Sequence, residues 1–280
     1  MNLRDRISAA IDEDLGPGDL TTEPIIPPTQ IGRAELIAKQ PVVVSGQRFV
    51  RSVFDVVGQR LGAFAAYKPE KADGEVAAPG ELLGVVSGNM RAILIGERPA
   101  LNLAMRAAGI ATHVRSILDH VGPATFRAVD TRKTTPLWRD LEKEAVVHGG
   151  GHNHRFGLFD GVLIKDNHIA AAGGVEAAVS RVRAGVHHLV KIEVEVTSLD
   201  ELHEALAAGA DGVLLDNMDD ATMAAAVAIV DETRPGAFVE ASGNMDAERM
   251  KAIAAIGLDV VSVGGFIHQA RWADLSLKVR

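Results

Sequence analysis

The chain has 280 residues, 47% of them apolar, with a formal net charge of -8 and a pI near 5.7. That length suffices for one barrel-type domain with a smaller companion, and the apolar content excludes disorder. The acidic balance argues against a nucleic-acid or membrane-surface binder, and the 4% aromatic content leaves few stacking platforms for bases. With no cysteine there is no disulfide, thiolate metal site or cysteine nucleophile, which fits a reducing compartment. The opening residues carry no apolar signal core, and no apolar run approaches the roughly 20 residues that span a bilayer. A cytoplasmic location is therefore expected.

In chain order, residues 3–15 have helical spacing and stop at Gly16-Pro17-Gly18. Between about 31 and 95, β-like runs at 34–38, 42–45, 82–87 and 92–95 are punctuated by turns such as Ala78-Pro79-Gly80, with one helix over 47–61. A further helix is expected to start near Pro99 and run towards Gly109, where the domain junction falls. The first domain is then a small mixed α+β domain over 1–108, on which the C-terminal tail can pack back.

Residues 109–280 read as an α/β barrel. Apolar runs at 126–129, 162–164, 192–196, 213–215, 238–240 and 260–263 alternate with helices at 137–148, 175–184, 198–208, 221–232 and 246–256. Continuous apolar strands alternating with helices mean a parallel sheet buried on both faces, and six such units favour a closed or nearly closed barrel over an open sheet.

Each strand ends on polar residues, and in a parallel barrel these ends share one rim, where catalytic groups gather. Arg132, Lys133, Arg139, His154, Arg155 and Lys165 form a basic group in an acidic chain. Arginine matches carboxylate and phosphate oxygens with a planar fork, and lysine acts as a point charge. A solvated face paired with Glu142, Glu144 and Asp160 is the alternative, weighing most for Arg139 on its helix. Glu193 and Glu195 alternate and so face one side of their strand. Glu195 and Asp216 end neighbouring strands and suit Mg2+, ribose hydroxyls or a cationic transition state. For Glu193 the preferred reading is a buried partner of the basic residues. Ala241-Ser242-Gly243-Asn244 and Val263-Gly264-Gly265 suit a phosphate. His148, His152 and His154 lack a fitting third ligand type for zinc, so loop or anion contacts are preferred for them.

Ordered motifs then make the chain resemble a known family. They include Gly96-Glu97-Arg98-Pro99-Ala100-Leu101-Asn102, Asp130-Thr131-Arg132-Lys133-Thr134-Thr135-Pro136, Asn153-His154-Arg155 and Leu163-Ile164-Lys165-Asp166-Asn167-His168. Glu193-Val194-Glu195-Val196, Leu215-Asp216-Asn217-Met218, Glu240-Ala241-Ser242-Gly243 and Ser262-Val263-Gly264 follow. Together they are similar to quinolinate phosphoribosyltransferase over essentially the whole chain. The resemblance implies an N-terminal α/β sandwich, an incomplete α/β barrel and at least a homodimer, with Arg98 reaching into the partner's site to grip quinolinate. It implies quinolinate contacts from Arg132, His154 and Arg155. Lys133, with Thr131 beside it, would hold the phosphoribosyl donor, and Lys165 would lie between the substrates. Glu195 and Asp216 would address ribose and Mg2+, and Ser242, Gly243, Asn244, Val263, Gly264 and Gly265 the 5'-phosphate. Lys133, Lys165, Glu195 and Asp216 are the implied catalytic set.

Departures from the family pattern are Pro99 for Thr, Ala108 for Ser, Leu137-Trp138 for Gly-Leu, and Gly265-Phe266-Ile267-His268-Gln269 for an Ala-Leu-Thr-His-Ser-like stretch. None removes a charge. The implied reaction makes nicotinate mononucleotide, pyrophosphate and CO2 in NAD biosynthesis. The competing readings are a phosphoribosyltransferase for another pyridine or an azole acid, a barrel lyase forming a Schiff base at Lys165, and a nucleotide-binding regulator without turnover.

Overall fold

The computed structural model describes residues 1–280, which divide into two compact units. The first comprises Met1–Arg115, Thr134–Gly150 and Gln269–Arg280, and the second Ser116–Lys133 and Gly151–His268.

In the first unit the helix Leu3–Leu15 is opened by Asn2, whose side chain accepts from Asp5 N–H while Asp5 answers at the Asn2 N–H. This reciprocal pairing satisfies two helix-start donors. Ile7 and Ile11, one turn apart, are its buried face. Helix Gln47–Arg60 buries Phe49, Val50, Val53, Phe54 and Val57 along one side, an apolar stripe of helical period. A four-stranded antiparallel sheet has the spatial order Leu275–Val279, Ile31–Ala38, Leu82–Asn89, Ala65–Pro69. The tail thus adds an edge strand, with Ala34 opposite Val279 and Ala38 opposite Leu275.

Two expectations for this unit are overturned. Residues 92–95 are not a strand, and no helix begins at Pro99; one helix runs Met90–Val121 with Pro99 inside it. The buried positions Ala92, Ile93, Gly96, Ala100, Leu101, Ala104 and Ala108 follow a helical period that a four-residue apolar run is too short to reveal. Gly109 is no break either. A Cβ there would lie 2.1 Å from the Arg271 carbonyl oxygen, so the glycine lets the tail's main chain cross the helix. The strand Ala65–Pro69 was not anticipated, nor was the strand form of the tail.

The helix Arg139–His148, read from sequence as a barrel helix, groups with the first unit. Charge pairing holds it there. Arg6 and Arg48 meet Asp140, Arg48 meets Glu144, and Arg106 meets the fully buried Glu142 at 2.8 Å. Glu142 also accepts from the Thr135 N–H and hydroxyl at 2.8 Å each. Leu137 carries φ 68°, in the left-handed region that penalises a side chain, at a position where the family pattern has glycine. The Arg6 guanidinium donates to its carbonyl and lies over the Trp138 ring, which fixes the turn despite that cost.

In the second unit six parallel strands form one sheet in the order Arg127–Val129, Val260–Ser262, Phe238–Ser242, Gly212–Asp216, Ile192–Val196, Val162–Ile164. The first and second strands in sequence are its two edges. The sheet does not close, so the barrel is incomplete, as the family resemblance implies, and the closed form that the unit count also allowed is not adopted. The first edge is extended by a parallel bridge from Val129 to His152, with Asp130 N–H donating to His152 C=O at 3.0 Å. Helices Val175–Gly185, Leu199–Ala207, Asp220–Thr233 and Ala247–Ala252 follow successive strands. Ser198, Asp219 and Asp246 cap three of them by accepting from the third residue on.

Candidate functional site

Parallel register places the strand ends of the second unit side by side. Ile164 is opposite Val194, so the next residue, Lys165, stands beside Glu195, and its Nζ pairs with Glu195 Oε2. Glu195 in turn faces Leu214, and Ser242 is in register with Asp216. Ser262 is opposite Val129, which brings the first and last strands together. Lys133 accordingly reaches Gly264, where a Cβ would come within 3.0 Å of Lys133 Cδ and 3.2 Å of His268 Nε2. The Thr131 hydroxyl accepts from Lys133 N–H at 3.1 Å and steadies that turn.

The rim also stores backbone strain. Asn217, at φ 55°, and Asn244, at φ 48°, are two of only three non-glycine residues in the left-handed region. Between them in space lies Gly243, at φ 100°, where a Cβ would meet Asn217 Oδ1 at 2.2 Å. Asn217 N–H donates to Ser242 C=O at 3.0 Å, and Asn244 Nδ2 reaches Asn217 Oδ1 at 3.4 Å. Strained residues gather where surrounding structure holds them for a purpose. Here they draw the ends of the fourth and fifth strands into one tight corner.

One layer below, Glu193 and Glu240 are 5% and 2% exposed. They face the His154 ring, whose Nε2 lies 3.6 Å from Glu193 Oε2 and 3.4 Å from Glu240 Oε2. Burial works against charge on this ring, yet the two carboxylates outweigh it and push His154 up to about 9. Burial pushes Glu193 up to about 7, against the pull of His154. The main chain here is fixed by buried Asp130, which accepts the His154 N–H at 3.0 Å. Arg155 follows. Burial first, then the nearby Arg132 charge, holds its guanidinium below the ordinary arginine range. Two guanidinium groups acting on each other in this way suit a multiply charged anion.

The basic set Arg132, Lys133, His154, Arg155 and Lys165 therefore shares the second unit with Glu195, Asp216, Ser242, Gly243, Asn244, Val263, Gly264 and Gly265. Arg98 belongs to the first unit. It is exposed on the long helix and lines a cavity of about 390 Å³ with Asn102, Arg106, Trp138, Glu142 and Trp272. Arg139 donates to the Thr134 hydroxyl at 2.9 Å in that same unit. His148 pairs with Ser45 at 2.8 Å, whereas His154 meets glutamates, so each has its own partners. Glu193 is the buried partner expected of it. Sequence reasoning placed Asp130, Asn217 and Glu240 at strand ends but gave no role to them or to His268. Asp130 sat visibly at a strand end, Glu240 repeats the Glu193 pattern one strand on, and His268 lies just past the glycine pair. Asn217 sat just past the fourth strand, and asparagine tolerates the left-handed region it adopts.

The fold and this polar rim define an α/β-barrel enzyme class that handles anionic substrates at its strand ends. The model of the quinolinate phosphoribosyl transferase N-terminal domain matches residues 19–108, and that of the C-terminal domain matches residues 110–278. A probable nicotinate-nucleotide pyrophosphorylase (carboxylating) of Bacillus subtilis is 38% identical over 267 residues, covering 95% of this chain and 90% of its own. The Mycobacterium leprae nicotinate-nucleotide pyrophosphorylase (carboxylating) is 38% identical over 275 residues, 98% of this chain and 96% of its own. Among solved structures, the nicotinate-nucleotide pyrophosphorylase of Francisella tularensis superposes with a TM-score of 0.89 at 34% identity, covering 99% of this chain and 96% of that one. The Ehrlichia chaffeensis structure of that name gives 0.88 at 32% identity, covering 100% and 99%. The chain belongs to the quinolinate phosphoribosyltransferase family.

Proposed function

We propose that the strand-end rim joins quinolinate to phosphoribosyl pyrophosphate and that the residues above divide the work. As a member of its family the chain is a carboxylating nicotinate-nucleotide diphosphorylase of NAD biosynthesis, yielding nicotinate mononucleotide, pyrophosphate and CO2. The observation that carries the assignment of roles is the register. Lys165 beside Glu195 and Asp216 beside Ser242 form one end of a continuous rim, and Lys133 over Gly264 forms the other.

In this reading Arg132, His154 and Arg155 hold the two carboxylates of quinolinate, joined by Arg98 from a second copy of the chain in a homodimer. Lys133 and Thr131 hold the phosphoribosyl donor, and Ser242, Gly243, Asn244, Val263, Gly264 and Gly265 receive its 5'-phosphate. The pyridine nitrogen lone pair attacks the anomeric carbon, and the bond to pyrophosphate breaks with its electron pair leaving on oxygen. Holding both reactants in line supplies much of the rate. Glu195 and Asp216 stabilise the positive charge that develops on the sugar. The ring nitrogen is then cationic, so the bond to the adjacent carboxylate can break, CO2 departs, and the pair left on carbon takes a proton.

A Mg2+ ion fits this donor set. Glu195 and Asp216 offer hard oxygen ligands without a full protein cage, and Mg2+ prefers a few carboxylates together with waters and substrate phosphates. When bound, it would neutralise charge on the pyrophosphate. A Schiff base at Lys165 would require its free amine, whereas Nζ is paired with Glu195. No helix is long and apolar enough to cross a membrane, and we place the enzyme in the cytoplasm.

The test is CO2 release from quinolinate by purified Arg132→Ala and Lys165→Ala. Both are expected to keep the fold, measured by circular dichroism, and to lose turnover. Near-normal release by either would overturn the assignment.

A further inference from the structure

We propose that His168 is a positioning residue for Lys165, its ring holding the lysine main chain so that the ammonium group is carried to the rim beside Glu195. The inference rests on the reading that Lys165 works between the two substrates.

Lys165 needs such a hold. It leaves the strand Val162–Ile164, an edge of the six-stranded sheet with a neighbour on one side only. The register with that neighbour ends at Ile164 opposite Val194, one residue before the lysine. The helix that follows, Asp166–Ala172, has seven residues and buries none of them, so neither length nor packing steadies it. A lysine also suits its own place poorly. It is the residue ahead of the first turn, where Ser, Thr, Asp or Asn normally caps the free main-chain N–H groups. An ammonium group carries donors only and caps nothing. The lysine side chain goes across to Glu195 instead.

His168 supplies the restraint. Its Nδ1 accepts the Lys165 main-chain N–H at 3.0 Å. This is the return half of a capping box, in which the third helical residue reaches back to the main chain ahead of the helix. On the other side, the Lys165 carbonyl accepts from the His168 N–H at 2.8 Å and from the Ile169 N–H at 3.0 Å. Both main-chain groups of Lys165 are therefore engaged by the first turn, and His168 takes part in each. The two peptide planes they belong to set the direction in which the lysine side chain leaves the backbone. Its stem is long, so a small tilt at the root is magnified at Nζ. A misplacement of about 1 Å near reacting atoms can cost on the order of 10²-fold in rate. The His168 ring is exposed and turned back on its own chain, so it acts on the reaction through Lys165.

His168→Ala removes the acceptor, and His168→Gln restores one, because glutamine makes the same reach at this position. Ala170→Gly is the control: it weakens the same helix at an exposed site and leaves the Lys165 contacts in place. Steady-state kinetics on the full enzyme should show kcat lowered about fivefold or more in His168→Ala and within about threefold of the parent in His168→Gln. Ala170→Gly should keep the parent kcat, whereas a merely structural role would slow it as much as His168→Ala. In parallel, 15N-histidine NMR, with His168→Gln for assignment, should find the neutral His168 ring of the parent bare at Nδ1 and protonated at Nε2. A smaller fall in His168→Ala, a slower glutamine variant, an Ala170→Gly enzyme as slow as His168→Ala, or the opposite tautomer would each overturn the proposal. If His168→Ala fails to fold, the glutamine variant and the tautomer decide. A Lys165→Ala enzyme that still releases CO2 removes this proposal together with the role given to Lys165; an inactive one beside failed His168 tests leaves the functional reading standing.

Discussion

Charge is handled differently in the two units. In the first, cations and anions meet in matched pairs. Arg6 and Arg48 share Asp140 and Glu144, and Arg106 with two Thr135 donors surrounds buried Glu142. In the second, like charges are kept close. Arg132 acts on Arg155, and Glu193 and Glu240 flank one histidine and keep unpartnered oxygens. The matched set fastens a helix. The rim's neighbouring guanidinium groups, Arg132 and Arg155, suit a bound anion. Like charges and two left-handed asparagines gathered at one rim mark that rim as the working part.

The contrast can be broken experimentally, beginning with the largest effect. Glu195→Gln together with Asp216→Asn should lower kcat by about 10²–10³-fold, since each removes charge aimed at the transition state. Their folding free energy, from urea titration, should change little. In the first unit the reverse holds: Glu142→Ala strands Arg106 and two Thr135 donors and should cost about 3–5 kcal/mol of stability, read from urea midpoints.

A smaller effect tests the buried histidine through pH. Because the folded protein holds His154 at about 9, above the ordinary value near 6.5, the stabilisation it provides is present below about pH 6.5. It is lost as pH rises through about 9. Urea titrations of the parent enzyme at the two ends of this window should differ by about 1–3 kcal/mol more than those of His154→Gln. The smallest effect lies at the strained turn. Leu137→Gly relieves a left-handed leucine whose penalty is about 1–2 kcal/mol, partly offset by glycine's greater chain entropy of about 0.5–1 kcal/mol. A net gain of up to about 1 kcal/mol should appear as a raised Tm with turnover unchanged.

The barrel was the legible half of the sequence because its strands are buried on both faces and repeat with helices between them. All six were located to within a residue or two, and their polar ends named most of the rim. The amino-terminal unit was harder to read. A four-residue apolar run at 92–95 has no period of its own, and Pro99 resembled a helix start although the helix had begun nine residues earlier. Gly109 resembled punctuation because the Arg271 carbonyl that requires it lies 162 residues away in the chain. The inner layer of the site was half legible. Alternation placed Glu193 on the face of Glu195, but its convergence with Glu240 on His154 depends on strand order, which no local pattern contains.

The central claim is the joining of two anions with loss of CO2. The most direct measurement supplies the purified protein with quinolinate, phosphoribosyl pyrophosphate and Mg2+ and follows nicotinate mononucleotide and CO2 together, with nicotinate replacing quinolinate as the control. The account predicts equal amounts of both products from quinolinate and no nucleotide from nicotinate. Nucleotide formed equally well from nicotinate, or no CO2 from quinolinate, would contradict it.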